Sequence, residues 1–306
     1  MAQLIQQFVG HSEQKSQLLE MAGQGHLPSS IILQGPSGVG KKTLAKALLQ
    51  VVNCEADPLA CGQCSNCRRS LDENSEFIFE LKPETKKVIS VDQVRELHHY
   101  LSLKSLRKHR FVLIDPADRL TTQAANALLK VLEEAPPQTH FFLITERISS
   151  LMATIRSRSH RLTFSKLSRE DLGLIEPFSA SALDWADGRV QIAQDLSEKD
   201  SMEKVNGSLK FLYSLTCESP QDWKKMAPWF FNSDPDREFG FQIWNQALEK
   251  RLYRTGENLD WLPEGPAAIA FIFDKAEVLQ KDIRANVDKL LAVENFYYQI
   301  RQQGTI

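Results

Sequence analysis

No stretch of this 306-residue sequence approaches the roughly 18 consecutive apolar residues that a membrane-crossing helix needs. The first residues, Met1 to Phe8, lack a basic region followed by an apolar run, so no signal peptide is expected and a cytoplasmic location is. Nor is there an excess of charge of either sign. The 37 Lys and Arg against 39 Asp and Glu leave a net charge of −2, so no global basic field draws the chain to nucleic acid. There is no internal repeat and no low-complexity tract, which excludes a solenoid or a disordered tail as the organising feature. Cysteine is scarce: five in all, of which Cys217 stands alone in an apolar segment and reads as a core residue. What remains is ordinary globular composition, 42% apolar and 25% charged, with length for two or three domains.

Two further absences are local. Gly35-Pro36-Ser37-Gly38-Val39-Gly40-Lys41-Lys42-Thr43 fits the phosphate-binding pattern G-x-x-x-x-G-K-[ST] except at its last place, where Lys42 replaces the hydroxyl residue. That hydroxyl ligates the magnesium ion bridging the nucleotide phosphates, whereas an ammonium cannot ligate a cation. Two unit charges about 4 Å apart at an effective dielectric near 20 interact by roughly 4 kcal/mol, an upper guide if the side chain swings away. The second absence follows Phe111-Val112-Leu113-Ile114-Asp115, an apolar strand ending in an acid suited to holding a metal-bound water. ATPases of this architecture place a glutamate base next, but here Pro116 follows, and Asp118 lies two places further on. The candidate nucleotide residues are therefore Gly35, Gly38, Gly40, Lys41, Thr43 and Asp115, in a degenerate site that either still accepts ATP or ADP without turning it over or has lost nucleotide altogether.

Four cysteines, Cys54, Cys61, Cys64 and Cys67, fall within fourteen residues at the spacing C-x6-C-x2-C-x2-C. In a reducing compartment this reads as a metal site, and four thiolates suit a closed, structural, tetrahedral zinc. The other readings are four free thiols or, in a secreted chain, paired disulfides.

Along the chain, residues 10 to 26 predict an amphipathic helix, Ser30 to Gln34 a strand, and Thr43 to Leu49 a helix. Strand, glycine loop, helix is the context that the phosphate-binding motif requires. Phe77 to Leu81 predicts a strand, and Ser90 with Gln93 a capping box opening a helix with Val91, Val94, Leu97 and Leu101 at helical spacing. Residues 122 to 133 predict a helix and His140 to Thr145 a strand, whose terminal threonine either senses a phosphate or caps the strand. Alternating strands and helices give a parallel sheet. Residues 178 to 196 predict a helix interrupted near Asp187-Gly188, and from about 202 onward the chain is helical. Ile283, Val287, Leu290 and Leu291 form a stripe in one last helix, with Glu294 continuing it as a polar or intersubunit contact. The basic loop of Lys104, Arg107, Lys108 and Arg110 is either solvated or a DNA or clamp contact.

Ala153-Thr154-Ile155-Arg156-Ser157-Arg158-Ser159-His160-Arg161 reads by itself as a solvated basic edge. Here, however, the chain resembles the delta-prime family of bacterial DNA polymerase III clamp-loader subunits, which belongs with the AAA+ proteins and whose relatives carry Ser-Arg-Cys where this chain has Ser157-Arg158-Ser159. The resemblance takes in Val9-Gly10-His11, the glycine loop, the four cysteines, residues 126–137 from Asn126 to Pro137, and residues 285–294 from Ala285 to Glu294. It implies that Arg158 is an arginine finger reaching the ATP site of a neighbouring subunit, with Arg156 as the alternative, and that Val9 to His11 lie where the family contacts adenine. It implies for Arg189 the place of a second sensor, or a vestigial role. The implied architecture is an α/β AAA+ domain with a zinc knuckle over 1–165, a small helical lid over 166–202 and an all-α collar over 203–306. The implied function is a largely non-hydrolysing stator in a ring with tau/gamma ATPase subunits and delta, loading a sliding clamp on primer-template DNA. The alternatives are a competent tau/gamma-type ATPase, using Thr43 and Asp118 in place of the missing groups, and a zinc-dependent nucleic-acid-binding module.

Overall fold

The computed structural model describes residues 4–302 apart from 71, 73–74, 85–87, 103–108, 198–200, 232–233, 254–258 and 286. The chain divides into two compact units: residues 1–178 with 188–193, and residues 179–187 with 194–306.

The first unit is a parallel sheet of five described strands, β1 (Ser30–Gln34), β2 (Ile78–Leu81), β3 (Arg110–Ile114), β4 (Thr139–Thr145) and β5 (His160–Thr163), in the order β2-β3-β4-β1-β5. The central strands are covered on both faces, so they read as unbroken apolar runs. Their alternation still sorts the side chains. Ile31, Leu33, Phe111, Leu113, Phe142 and Ile144 point into one core, which includes Leu44, Leu48 and Leu49 of helix α3 (Lys41–Asn53). Ile32, Val112, Ile114, Phe141 and Leu143 point into the other, against α5 (Val91–Ser102) and α6 (Thr122–Glu134). The capping box at the start of α5 forms as expected: Ser90 N–H donates to Gln93 Oε1 at 3.0 Å and Gln93 N–H to Ser90 Oγ at 3.4 Å. The edge strand β5 was not anticipated. It is four residues long, and of these Leu162 alone is buried, so its pattern carries little signal of its own.

Between α8 (Arg169–Ile175) and the helical C-terminal region lie α9 (Ala180–Ala186) and α10 (Val190–Ser197). They are broken where expected, by Asp187 and Gly188, both at positive φ. The second unit contains α11 (Ser201–Cys217), α12 (Pro220–Phe230), α13 (Asp234–Leu252), α14 (Pro266–Arg284) and α15 (Lys289–Gln302) around an aromatic core of Phe211, Phe230, Phe241, Trp244 and Phe296. The Trp244 indole donates to Ser208 O at 2.8 Å, satisfying the polar atom of a fully buried ring. The stripe expected in one last helix is divided between two. Asp288 interrupts it and accepts the Leu291 N–H at 2.9 Å, Ile283 is buried on α14, and Val287, Leu290 and Leu291 are exposed. Glu294 makes a polar contact within the unit, with Lys224 Nζ at 3.1 Å.

Candidate functional site

The glycine loop leaves the C-terminal end of β1 and enters α3. Gly35 has φ +151°, and a Cβ there would collide with the Phe164 carbonyl, so glycine is required by both conformation and space. Gly38 and Gly40 also have positive φ, and Gly40 is the N-cap of α3, where free amides and the helix dipole favour an anion. Lys41 is buried, and its ammonium donates to the carbonyls of Gly35, at 2.7 Å, and Pro36. Burial lowers its pKa, against the opposing pull of Glu146, Asp115 and Asp118. Asp115 follows β3 as expected, and burial raises its pKa while Lys42 and Lys41 pull it down. Thr43 is exposed on the first turn of α3.

Lys42 does not stay extended beside the phosphate position. Its Nζ lies 2.7 Å from Glu80 Oε2, and Lys46 Nζ lies 3.0 Å from Glu80 Oε1. Burial of Glu80 opposes ionisation, but its hydrogen bonds to Lys42 and Lys46 prevail and hold its pKa below the usual carboxylate value. Glu80 was missed in the sequence. The available signal was a pair of lysines one helical turn apart, which share a face and need an acid from another element. Glu146, also missed, accepts the Ser37 N–H at 3.0 Å, so an amide of the loop already holds an oxyanion.

Thr145 is buried and is a strand cap. Its hydroxyl accepts the Arg147 N–H at 3.1 Å and lies 3.3 Å from Asp118 Oδ1. Arg189 is brought to the loop: the next residue, Val190, donates its N–H to Gly38 O at 2.8 Å. Arg189 lines an open cleft of about 410 Å³ together with Gln34, Gly35, Glu146, Arg147 and Lys166. His11 also reaches the loop, with Nε2 3.1 Å from Val39 O and its ring edge-on to Phe164.

The four cysteines converge, with their sulfur atoms all within 4.8 Å of one another and Cys61 Sγ 3.9 Å from Cys67 Sγ. A tetrahedral zinc with bonds of about 2.3 Å sets its sulfurs about 3.8 Å apart, so the cluster fits a metal ion. Backbone amides of Cys61, Cys64 and Cys67 donate to the sulfurs of Cys54, Cys61 and Cys64 at 3.3, 3.3 and 3.4 Å. Amides of Gln63 and Cys64 lower the pKa of Cys61, whereas burial pushes that of Cys67 up. A shared cation would offset that desolvation.

Arg158 occupies the opposite end of the sheet from the glycine loop. Ser159 Oγ is 2.7 Å from the hydroxyl of Ser30, the first residue of β1, whereas the loop follows the last. Ser159 also donates to Ile155 O at 2.8 Å, so the residue standing in for cysteine ties this turn to the sheet. The guanidinium of Arg158 is half-exposed, 3.4 Å from Glu133 and 3.3 Å from Thr154 O. Arg156 is exposed beside it. Of the basic loop, Lys104, Arg107 and Lys108 lie outside the described residues. Arg110 is buried, donates to the Tyr100 and Leu101 carbonyls, and is thereby withdrawn from any DNA contact.

A family model described as DNA polymerase III, delta subunit, matches residues 10–168, just over half of the chain and nearly all of the sheet-bearing unit. The chain belongs to this DNA polymerase III delta-subunit family. Among curated relatives of this family member, the DNA polymerase III subunit delta' of Haemophilus influenzae is 38% identical over 138 residues, 44% of this chain and 42% of the relative. That of Escherichia coli is 34% identical over 178 residues, 57% and 50% respectively. The DNA polymerase III subunit gamma/tau of Mycoplasma pneumoniae is 29% identical over 164 residues, 53% of this chain and 24% of the relative. The chain thus spans half or less of the length of these relatives in the matched regions. The crystal structure of a DNA polymerase III gamma-subunit-related protein from Thermotoga maritima shares the fold, with TM-score 0.51 at 18% identity, over 94% of this chain and 99% of that one. The parallel sheet with helices on both faces expected from the sequence is the one observed.

Proposed function

We propose that this chain is a delta-prime subunit of a bacterial replicative clamp loader, a cytoplasmic stator that does not hydrolyse ATP and gives Arg158 to the ATP site of a neighbouring tau/gamma subunit. The observation that carries this reading is the separation of Arg158 from the chain's own glycine loop. The length of β1 lies between them, roughly 16 Å at about 3.3 Å per residue, beyond the reach of an arginine side chain. An arginine there that is to meet a phosphate must meet another subunit's. Its fixed charge and bidentate donors suit the phosphoryl oxygens of a transition state. The loss of the loop hydroxyl to Lys42 and of the base to Pro116 agrees with chemistry carried out at a shared interface, and Asp118, the substitute base, is turned towards Thr145. Residues 166–202 would serve as a lid and 203–306 as a collar joining the tau/gamma and delta subunits. The cysteine cluster would hold a structural zinc.

The test is ATP turnover in a complex reconstituted with tau/gamma, delta, clamp and primed DNA. Arg158→Ala is expected to reduce turnover at the adjacent site by about 10³- to 10⁵-fold and to impair clamp loading, while the isolated chain is silent. A complex indifferent to Arg158→Ala would remove the role placed on that residue. Turnover by the isolated chain that depends on Lys41 would make it a motor.

A further inference from the structure

Arg158 is held by its own chain at both ends of the residue. At the backbone end, the turn after the short helix α7 (Ala153–Arg156) is fastened by Ser159, whose hydroxyl donates to Ile155 O at 2.8 Å and accepts from the buried Ser30 Oγ at 2.7 Å. At the head, Nη1 donates to Thr154 O at 3.3 Å, and Nε lies 3.4 Å from Glu133 Oε1. A guanidinium carries five N–H donors in one rigid plane. These two contacts engage Nε and one hydrogen of Nη1, and the remaining donors, on Nη1 and Nη2, have no partner among the described residues. What stays open is the outer edge of the fork, the pair of terminal nitrogens that can meet two oxygens of one phosphoryl group.

The carboxylate of Glu133 is not explained by its own helix. Glu133 is the residue before the last of α6, and Glu134 follows it. The last turn of a helix is the negative end of its dipole, which disfavours a carboxylate, and no basic residue of that turn compensates. Among the described residues the ion-pair partner of Glu133 is Arg158. Without that partner, an arginine on an exposed turn would spread over its rotamers and would have to be ordered before it met a phosphate.

We propose that Glu133 is the positioning residue of the finger, holding the head of Arg158 by Nε so that its terminal nitrogens face the phosphoryl group in a neighbouring subunit. This rests on the reading of Arg158 as a finger. Glu133 acts through the arginine and touches no nucleotide. Its effect should therefore fall on kcat and not on KM for ATP, because the finger meets charge that develops in the transition state.

The experiment is steady-state ATP turnover in the complex with delta, clamp and primed DNA. It uses tau/gamma whose own Ser-Arg-Cys arginine is replaced by alanine, so that turnover reports the site facing this chain. Glu133→Gln keeps the shape and removes the charge. It should lower kcat about two- to fivefold, the range of an exposed ion pair, with KM changed by less than about twofold. Glu134→Gln removes an acid from the same helix end, makes no ion pair or hydrogen bond with Arg158 to lose, and should leave kcat unaltered. In an Arg158→Ala background, Glu133→Gln should have no further effect. In the isolated chain, nitrogen NMR should show the Arg158 Nε–H exchanging with solvent faster in Glu133→Gln than in the unaltered protein. Unchanged exchange, an unchanged or raised kcat in Glu133→Gln, an equal loss in Glu134→Gln, or a further loss on top of Arg158→Ala would each overturn the proposal. If Arg158→Ala lowers turnover and Glu133→Gln does not, the positioning role falls and the finger stands. If Arg158→Ala itself leaves turnover unaltered, both fall together.

Discussion

Asn53 is the last residue of α3 and is 3% exposed, yet it bonds in three directions. Its Nδ2 donates to His109 O at 3.1 Å, its Oδ1 accepts the His109 N–H at 3.1 Å, and its own carbonyl accepts Asn66 Nδ2 at 3.0 Å. One side chain thus fastens the helix behind the glycine loop to the entry of β3, and its backbone fastens that helix to the cysteine cluster. Asn53→Ala removes both bonds to His109 and leaves its main-chain groups to find new partners in a tight site. At about 1 kcal/mol net for each bond, and more where a buried group is orphaned, the cost is about 2–4 kcal/mol. For a unit of this size each kcal/mol shifts the midpoint by about 2–4 °C, so the sheet-bearing unit should melt roughly 5–15 °C lower. The assay is scanning calorimetry with zinc present throughout, so that metal content does not vary between proteins. Asn66→Ala, which spares the bonds to His109, should cost less. A shift below about 1 °C for Asn53→Ala, or a larger loss for Asn66→Ala, would refute the reasoning.

The cysteine cluster should carry about one zinc per chain by elemental analysis, and Cys67→Ser should lower both that content and the melting point. A chain that is fully stable and metal-free after purification in zinc would count against the site. Glu80 has a folded pKa below its ordinary value, so its pairing with Lys42 and Lys46 stabilises fully above the ordinary carboxylate pKa and is lost as pH falls through the lowered one. Glu80→Gln should therefore be less stable than the unaltered chain near neutrality, with the difference closing below about pH 4 in urea titrations. A gap that persists into acid would mean that the side chain matters for packing and not for charge.

The sequence by itself determined whatever is local. The glycine loop, its missing hydroxyl, the proline after Asp115, the capping box at Ser90 and Gln93, and the four cysteines each occupy a short window. Backbone geometry and ligand spacing leave few meanings within such a window. The central strands were legible because burial on both faces makes them continuous apolar runs, and the break at Asp187-Gly188 because helices end at such residues. The edge strand β5 was hidden because half of its pairing surface is open and its four residues carry no pattern. The end of the last helical stripe was hidden because Asp288 caps a new helix inside an otherwise periodic run. What bears most on function was decided by tertiary structure: Glu80 reaching Lys42 from 38 residues away, Arg189 beside Gly38, and Arg158 at the far end of the strand that feeds the loop. Each depends on which strands lie side by side and which of their ends face the same way. That order is set by the burial of two whole sheet faces together, and no single segment of the chain contains it.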